Sequence, residues 1–404
     1  VLSKSAAGQF GTTVILAGLA MLGPFSINTY LPSFGEMALE LGTDLVALQL
    51  TVSIYFIAFA FMALWHGAIS DSFGRRRVVL IGLAVYALAS FGCALADRIE
   101  QIWVLRAFQG FSAGAGIVIG RAVVRDLHEG PLAQRMMSQV VLMFSVAPAL
   151  APVIGGWLQV AFGWRAVFLF LSLLAVSLLL ATALRLPESL PVVSRQSFDP
   201  RALLQGYVEV FRHKAFMAWA AAYALMFGGS FIYVLSAPIF MMKHLGLAET
   251  DFIMLFGPAM VGMMMGSVLA GRFAQRMSQA NTLRIGFGCM AAASLYNLLI
   301  SFHMPAAPGW YLSYLLFFNC GMSLVIPVIT MRGLDCVPER RGMGSSVQLA
   351  VQTAFNAFLA AILAPLVWGS VLMMALCATA LLAASALGVW LAWRMSLTSA
   401  SPAC

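Results

Sequence analysis

Charge is the scarcest property of this sequence. Only 9% of its 404 residues are Asp, Glu, Lys or Arg, while 62% are hydrophobic. A globular domain carries roughly a quarter charged residues. A soluble chain this long would divide into about two or three domains, each needing a polar surface, and too few charges exist to supply those surfaces. Cysteine is also thin, with six in all. Cys93, Cys289, Cys320 and Cys377 lie in apolar runs, Cys336 in a basic loop and Cys404 in the tail. That distribution gives no metal or disulfide spacing. The five histidines, His66, His128, His213, His244 and His303, are scattered and suggest neither a metal site nor a catalytic triad. A phosphate-binding Gly-x-x-x-x-Gly-Lys loop is missing too, so ATP is not the expected energy source. These absences point away from an enzyme and away from any bound cofactor.

Long apolar runs are what the chain does contain. A helix needs about 20 apolar residues to cross a bilayer, and only helices and closed barrels satisfy their backbones within lipid. Continuous apolar runs, rather than alternation, select helices. About twelve such spans are expected, at 12–34, 46–66, 77–96, 101–124, 137–160, 165–186, 215–240, 252–273, 282–303, 309–331, 344–366 and 371–394. The fold class is therefore an all-α integral membrane protein. The run from Thr12 lacks a small-residue cleavage site and continues into Pro24 and Pro32, so it is expected to be retained rather than removed as a signal peptide.

The formal net charge is +8. Its arginines are dispersed in short loops, which favours membrane topology over nucleic-acid binding. Basic residues favour the cytoplasmic side. With both termini in the cytoplasm, only Arg98, Arg165 and Lys243 fall outside, and Arg106 and Arg121 lie within a span. The polar interval 187–214 holds Pro187, Pro191 and Pro200 and reads as a cytoplasmic linker with a short amphipathic helix at 201–212. This divides the chain into a six-helix half at 1–190, a linker at 191–214, and a second half with a short tail at 215–404.

The segment from Gly67 to Arg77 is a basic turn between two spans, with one carboxylate, Asp71, and three arginines. Gly67 to Gly82 matches Gly271 to Gly286 in length and end glycines, with Gln275 and Ser278 replacing Asp71 and Gly74. Repeated halves around a midplane site are the usual architecture of secondary transporters.

Four elements now combine: the Gly67–Arg77 loop; Arg106-x-x-Gln109-Gly110 in the fourth span; Ala147-Pro148-x-x-Ala151-Pro152-x-x-Gly155-Gly156 in the fifth; and Ser26-Ile-Asn-Thr-Tyr-Leu-Pro32 in the first. Together they resemble the major facilitator superfamily over nearly the whole chain. Arg125-Asp126, Trp164-Arg165 and Ser236-Ala-Pro238 narrow the resemblance to the bicyclomycin/chloramphenicol-resistance (Bcr/CflA) branch of drug:proton antiporters. The resemblance implies twelve helices in two six-helix halves. It also implies multidrug efflux from a bacterial inner membrane, driven by a proton gradient. The partners would be a small-molecule substrate, protons and the lipid bilayer; nucleic acid is not among them, and a monomer is expected. The branch usually has an aspartate where this chain has Asn28, which keeps the shape and loses the titration.

The resemblance also implies roles. Gly67, Asp71, Gly74, Arg75 and Asp126 would form a conformational latch, with Asp71, Arg75 and Asp126 clustered against the eleventh helix in the outward-open state; the plainer reading is a solvated positive-inside loop. Asp71 is expected near a helix N-terminus, where negative charge is favoured. Arg106 either lines a central cavity with Gln109 or snorkels to the outer interface. Arg121 is expected to snorkel. Gly110, Gly114, Gly116 and Gly120 in the fourth span suit close helix packing. Pro148, Pro152, Gly155 and Gly156 form either a static kink or a gate sealing the fifth helix against the eighth, where Gly257, Pro258, Gly262 and Gly266 would be the counterparts. Asn28 and Tyr30 either line the pocket or bond a neighbouring helix. Gln348, Gln352 and Asn356 share one face at i, i+4, i+8, as cavity lining or as an interhelical ladder. Tyr223, Met226, Phe227 and Tyr233 offer either an adaptable binding surface or core packing.

No carboxylate falls at a clear midplane position. The competing readings are a facilitator or symporter of a neutral or anionic metabolite, and a non-transporting membrane receptor.

Overall fold

The computed structural model describes residues 6–128, 130–195, 197–274, 276–303 and 307–398. Gln275 and Cys404 lie outside the described residues. Helices account for all the regular structure among the described residues. We number the long ones α1 (Ala6–Asn28), α2 (Leu45–Ala63), α3 (Arg75–Ala94), α4 (Ile99–Leu127), α5 (Gly130–Phe162) and α6 (Trp164–Arg185). The second set is α7 (Lys214–Leu235), α8 (Ile253–Phe273), α9 (Gln279–His303), α10 (Pro308–Asp335), α11 (Arg341–Phe358) and α12 (Val371–Thr398). Among the described residues 11 segments are long and apolar enough to cross a membrane, and the Val146–Phe162 part of α5 is a shorter apolar helix.

Two spans end ahead of a proline. The first was expected to run unbroken to residue 34, but α1 stops at Asn28. Pro32 has no N–H to give to the carbonyl of Asn28. The chain turns through Thr29 and Tyr30, makes a tight 3-10 turn at Leu31–Ser33 and continues as a short helix, Phe34–Glu40. Tyr30 therefore lies beyond α1 rather than within it. The same logic ends α7 at Leu235, ahead of Pro238, where a π-helical turn, Ile239–His244, follows. A strongly amphipathic helix, Pro200–Arg212, precedes α7.

The chain forms two compact units, Val1–Pro200 and Arg201–Cys404. In the first, α1 packs on α4, α5 and α6, α2 on α4, and α3 on α4 and α6. In the second, α7 packs on α10, α11 and α12, α8 on α10, and α9 on α10 and α12. Each of these pairings recurs six helices later. The two units thus share one topology, although little of the repeat survives as sequence.

Glycine sets the closest approaches. A methyl on Gly110 would strike the Tyr55 carbonyl of α2, and one on Gly116 the Leu19 carbonyl of α1. Gly114 faces the His66 ring and Phe59. In the second unit the glycines sit on the other partner: Gly262 and Gly266 of α8 press against the carbonyls of Leu316 and Cys320 in α10. Those two glycines, paired with the fifth helix in the sequence expectation, thus serve the α8–α10 contact.

Candidate functional site

Arg106 lies about two turns into α4 and is fully buried. Snorkelling is therefore ruled out for it. Its Nη1 donates to the Ser26 carbonyl at 3.0 Å and to Gln109 Oε1 at 2.6 Å. Its Nη2 reaches the Tyr30 hydroxyl at 3.5 Å. The guanidinium carbon lies 4.6 Å from the Tyr30 ring centroid and 4.5 Å from that of Tyr55. Two aromatic faces and two oxygens thus replace the water that a buried cation loses; a desolvated cation–π contact contributes about 2 kcal/mol or more. No carboxylate pairs with Arg106 among the described residues.

A second ring of bonds holds this cradle. Gln109 Nε2 donates to Ser90 Oγ at 2.7 Å, so its amide is fixed with the oxygen toward Arg106. The Tyr30 hydroxyl meets Thr51 Oγ1 at 2.8 Å. Ser26 Oγ bonds the Tyr86 hydroxyl. The cradle thus draws on the end of α1, on α2, α3 and α4. With no carboxylate partner among the described residues, its positive charge suits recognition of negative charge or of an electron-rich group.

Asn28 stands apart. At about 100° per residue it lies on the side of α1 opposite Ser26. It is buried and donates through Nδ2 to the Pro24 carbonyl at 2.9 Å, and its Oδ1 has no partner among the described residues. Around this break α5 approaches closely. A methyl on Gly155 would overlap the Thr29 carbonyl, next to Tyr30. Gly156 and Pro152 are also buried, and α5 continues as helix through Pro148 and Pro152.

The Gly67–Arg77 segment is built around Arg75, which is nearly buried. Arg75 pairs with Asp71 one turn back. Its Nε reaches Asp126 Oδ2 at 3.2 Å, and its Nη1 donates to Ser70 Oγ at 2.6 Å. Two details differ from the sequence expectation. Asp71 lies in the separate helix His66–Phe73 and not at the start of α3. The carboxylate at the start of α3 is Glu188, whose Oε1 accepts the Arg75 N–H at 2.9 Å, where the helix dipole favours negative charge. Gly74 makes this possible: its φ of 98° suits glycine, and a methyl there would meet Glu188 and Arg195. Gly67, by contrast, has open space around it. Ser189 completes the cluster by donating to Asp126 Oδ2 at 2.9 Å. Arg121 is exposed on α4.

In the second unit the predicted residues separate. Gln348 donates to Thr330 Oγ1 of α10 at 3.2 Å, which is an interhelical bond. Asn356 is buried, its Oδ1 has no partner among the described residues, and Gln352 is half-buried. Tyr223 and Phe227 are half-buried on α7. Tyr233 is core: its ring packs on Phe240 and Tyr314, and its hydroxyl accepts from Asn297 at 2.7 Å. Met226 is fully buried too. These side chains point inward because α7 contacts three neighbours, leaving little of its circumference free.

Sequence reasoning missed Tyr55, Tyr86, Ser90 and Glu188. Tyrosine and serine inside apolar spans were a usable signal for the first three, because buried hydroxyls require partners. Glu188 carried none, since only the return of the chain past α6 brings it to Arg75. An open apolar groove of about 480 Å³ lies elsewhere in this unit, lined by Met62, His66, Ile81 and Phe111 with Arg77 at its edge.

Residues 14–361 match the family model described as Major Facilitator Superfamily. The chain is 29% identical over 350 residues to the bicyclomycin resistance protein homolog of Haemophilus influenzae, covering 86% of this chain and 87% of that protein. It is 30% identical over 285 residues to the chloramphenicol resistance protein of Pseudomonas aeruginosa, covering 70% of this chain and 67% of that one. Its fold is similar to the crystal structure of the human organic anion transporter MFSD10, with a TM-score of 0.67, 18% identity, and coverage of 96% of this chain and 100% of that chain. The transmembrane architecture, the motifs and these similarities lead to one assignment. The chain belongs to the major facilitator superfamily, within the bicyclomycin/chloramphenicol-resistance branch, and is a multi-pass membrane transporter of small molecules rather than an enzyme.

Proposed function

We propose that this transporter exports small amphipathic drugs in exchange for protons, by alternating access between its two six-helix halves, 1–190 and 215–404, joined by the linker 191–214. The observation that carries the reading is the similarity, over most of both chains, to relatives named for bicyclomycin and chloramphenicol resistance. In this reading the protein acts as a monomer in a bacterial inner membrane with both termini in the cytoplasm, and the proton gradient is its energy source without any cofactor. Arg106, Gln109, Tyr30 and Asn28 serve the substrate and proton pathway from the first half. Tyr223, Gln348, Gln352 and Asn356 serve it from the second, with Tyr233 as support behind them. Pro148, Pro152, Gly155 and Gly156 act as the gate in α5.

Arg75 is the hub of the latch, with Asp71, Asp126 and the Gly74 turn as its partners. Asp71→Asn removes half of an ion pair and keeps the side-chain shape. The substituted protein is expected to insert normally and to transport about tenfold more slowly, a change of about 1.4 kcal/mol in the limiting barrier. Unimpaired transport at equal membrane abundance would reduce the loop to a topology signal.

A second reading has one observation in its favour. Arg106 is buried without an acidic partner among the described residues, which suits a facilitator or symporter of an anionic metabolite. Uptake of a labelled drug into inverted vesicles separates the two. Antiport requires accumulation that follows an imposed pH gradient. Accumulation indifferent to that gradient would sink proton antiport.

A further inference from the structure

The helix Pro200–Arg212 has two apolar faces, and the protein covers only one of them. At 13 residues it is about 20 Å long, too short to cross a bilayer. Gly206, Tyr207 and Val210 form the buried face. A methyl on Gly206 would strike Arg340 and Met343, and Glu209 pairs with Arg340 at 2.6 Å. The helix is thus seated against the start of α11.

The second apolar face is open. Leu204, Val208 and Phe211, spaced i, i+4 and i+7, are 58%, 40% and 41% exposed. Two other short helices, Phe34–Glu40 and His66–Phe73, expose one large apolar side chain each, Leu39 and Phe73. Side chains follow a fixed order around Pro200–Arg212. With 3.6 residues per turn, the open stripe is centred about 120° from the buried face. Arg201 and Arg212 border the stripe, about 60° farther round. Glu209, the one acid of the helix, lies about 130° from the stripe and is held by Arg340. Both arginines are exposed, and Lys214 at the start of α7 adds a third exposed cation. No carboxylate pairs with Arg212 or Lys214 among the described residues.

The position of the helix fixes what the stripe meets. Only His213 separates Arg212 from α7, which is long and apolar enough to cross the membrane. His213 Nδ1 accepts the Phe216 N–H at 3.2 Å and caps α7. The helix is therefore tied to the bilayer surface at which α7 begins, and hydrocarbon is the nearest apolar medium for the open stripe.

We infer that Pro200–Arg212 lies in the membrane interface and is a docking surface for anionic phospholipid. Leu204, Val208 and Phe211 enter the acyl boundary. Arg201, Arg212 and Lys214 meet phosphate at the level of the headgroups, and Glu209 faces away from them. An apolar stripe bordered by arginines is the layering that holds a helix in an interface. Each basic residue near an anionic surface favours binding by about fivefold. The Glu209–Arg340 pair makes the helix a fixed shelf on the bilayer rather than a loose linker. This surface needs the membrane-spanning fold, and neither proton coupling nor drug export.

Photo-crosslinking of the full-length protein tests the assignment. p-Benzoylphenylalanine is placed at position 211, 204 or 202 in separate proteins, each reconstituted in vesicles of equal phosphatidylglycerol and phosphatidylcholine. Mass spectrometry after illumination identifies what each position touches. Positions 211 and 204 should give lipid adducts about fivefold or more above position 202, which lies about 150° from the stripe. Those adducts should favour phosphatidylglycerol by about fivefold, and Arg201→Gln combined with Arg212→Gln should bring the preference below about twofold. Adducts of positions 211 and 204 with another segment of this chain or with a second copy would overturn the lipid surface, as would equal lipid yields at all three positions. Lipid adducts without a preference for phosphatidylglycerol, or a preference that survives both substitutions, would overturn the recognition of anionic lipid.

Discussion

Arg106→Ala is expected to abolish transport and to lower the melting temperature of the detergent-solubilised protein. The guanidinium is the common partner of the Ser26 carbonyl, Gln109 Oε1 and two tyrosine rings. Its removal leaves two buried oxygens without their donor, at about 1–3 kcal/mol each, and removes the contacts that align the end of α1 with α4. A combined loss of about 3 kcal/mol corresponds to more than 100-fold in an equilibrium or rate that depends on this arrangement. Arg106→Lys is the informative companion. Lysine keeps the charge but has no planar face to lie between Tyr30 and Tyr55. It should recover part of the melting temperature and little of the transport. Transport above a tenth of wild type in Arg106→Ala would show that the cradle is only structural.

Gly155→Ala is expected to destabilise the first unit and slow transport, although it adds one methyl. That methyl would fall on the Thr29 carbonyl, so backbone meets backbone and no rotamer change relieves it. Overpacking of this kind costs about 1–3 kcal/mol, occasionally more. The strain falls beside Tyr30, which holds Arg106. Gly67→Ala is the contrast. Gly67 has nothing within 4 Å of the added carbon and lies in the helix His66–Phe73, so its stability should stay within about 0.5 kcal/mol of wild type. Equal melting temperatures for the two variants would remove the argument that Gly155 is a contact point.

These two predictions also mark where sequence reasoning succeeds. Arg106 was visible because a charge within an apolar span is costly and must be matched. Gln109 followed from its place one turn away. The neighbours that do the matching were not visible, because Tyr55, Tyr86 and Ser90 reach Arg106 and Gln109 only when α2 and α3 pack against α4. Gly155 and Gly67 look alike as letters in motifs, yet one touches a carbonyl and the other touches nothing. Tyr233 and Asn356 look alike as polar groups in apolar helices. One is bonded in an aromatic core, and the other has an acceptor with no partner among the described residues.

The charge network makes the same point. The family resemblance implied a cluster of Asp71, Arg75 and Asp126, and Arg75 does meet both carboxylates. The carboxylate that caps α3 was assigned to Asp71, which is nearby in sequence, but the cap is Glu188, which arrives from beyond α6. Local spacing cannot report such a return of the chain. Glu36 was passed over for a related reason: in sequence it is one more acid near a helix end, and only the packing of α5 brings Gln159 to it.

By itself the sequence determined the membrane class, the number and order of spans and the family. These depend on hydrophobicity and backbone chemistry, which act over a few residues and leave a periodic trace. Tertiary structure alone decided which glycines meet a backbone, which buried polar atoms are satisfied and which carboxylates meet an arginine. Those properties belong to pairs of groups far apart in the chain. Their energies depend on ångström-scale distances that no local pattern records.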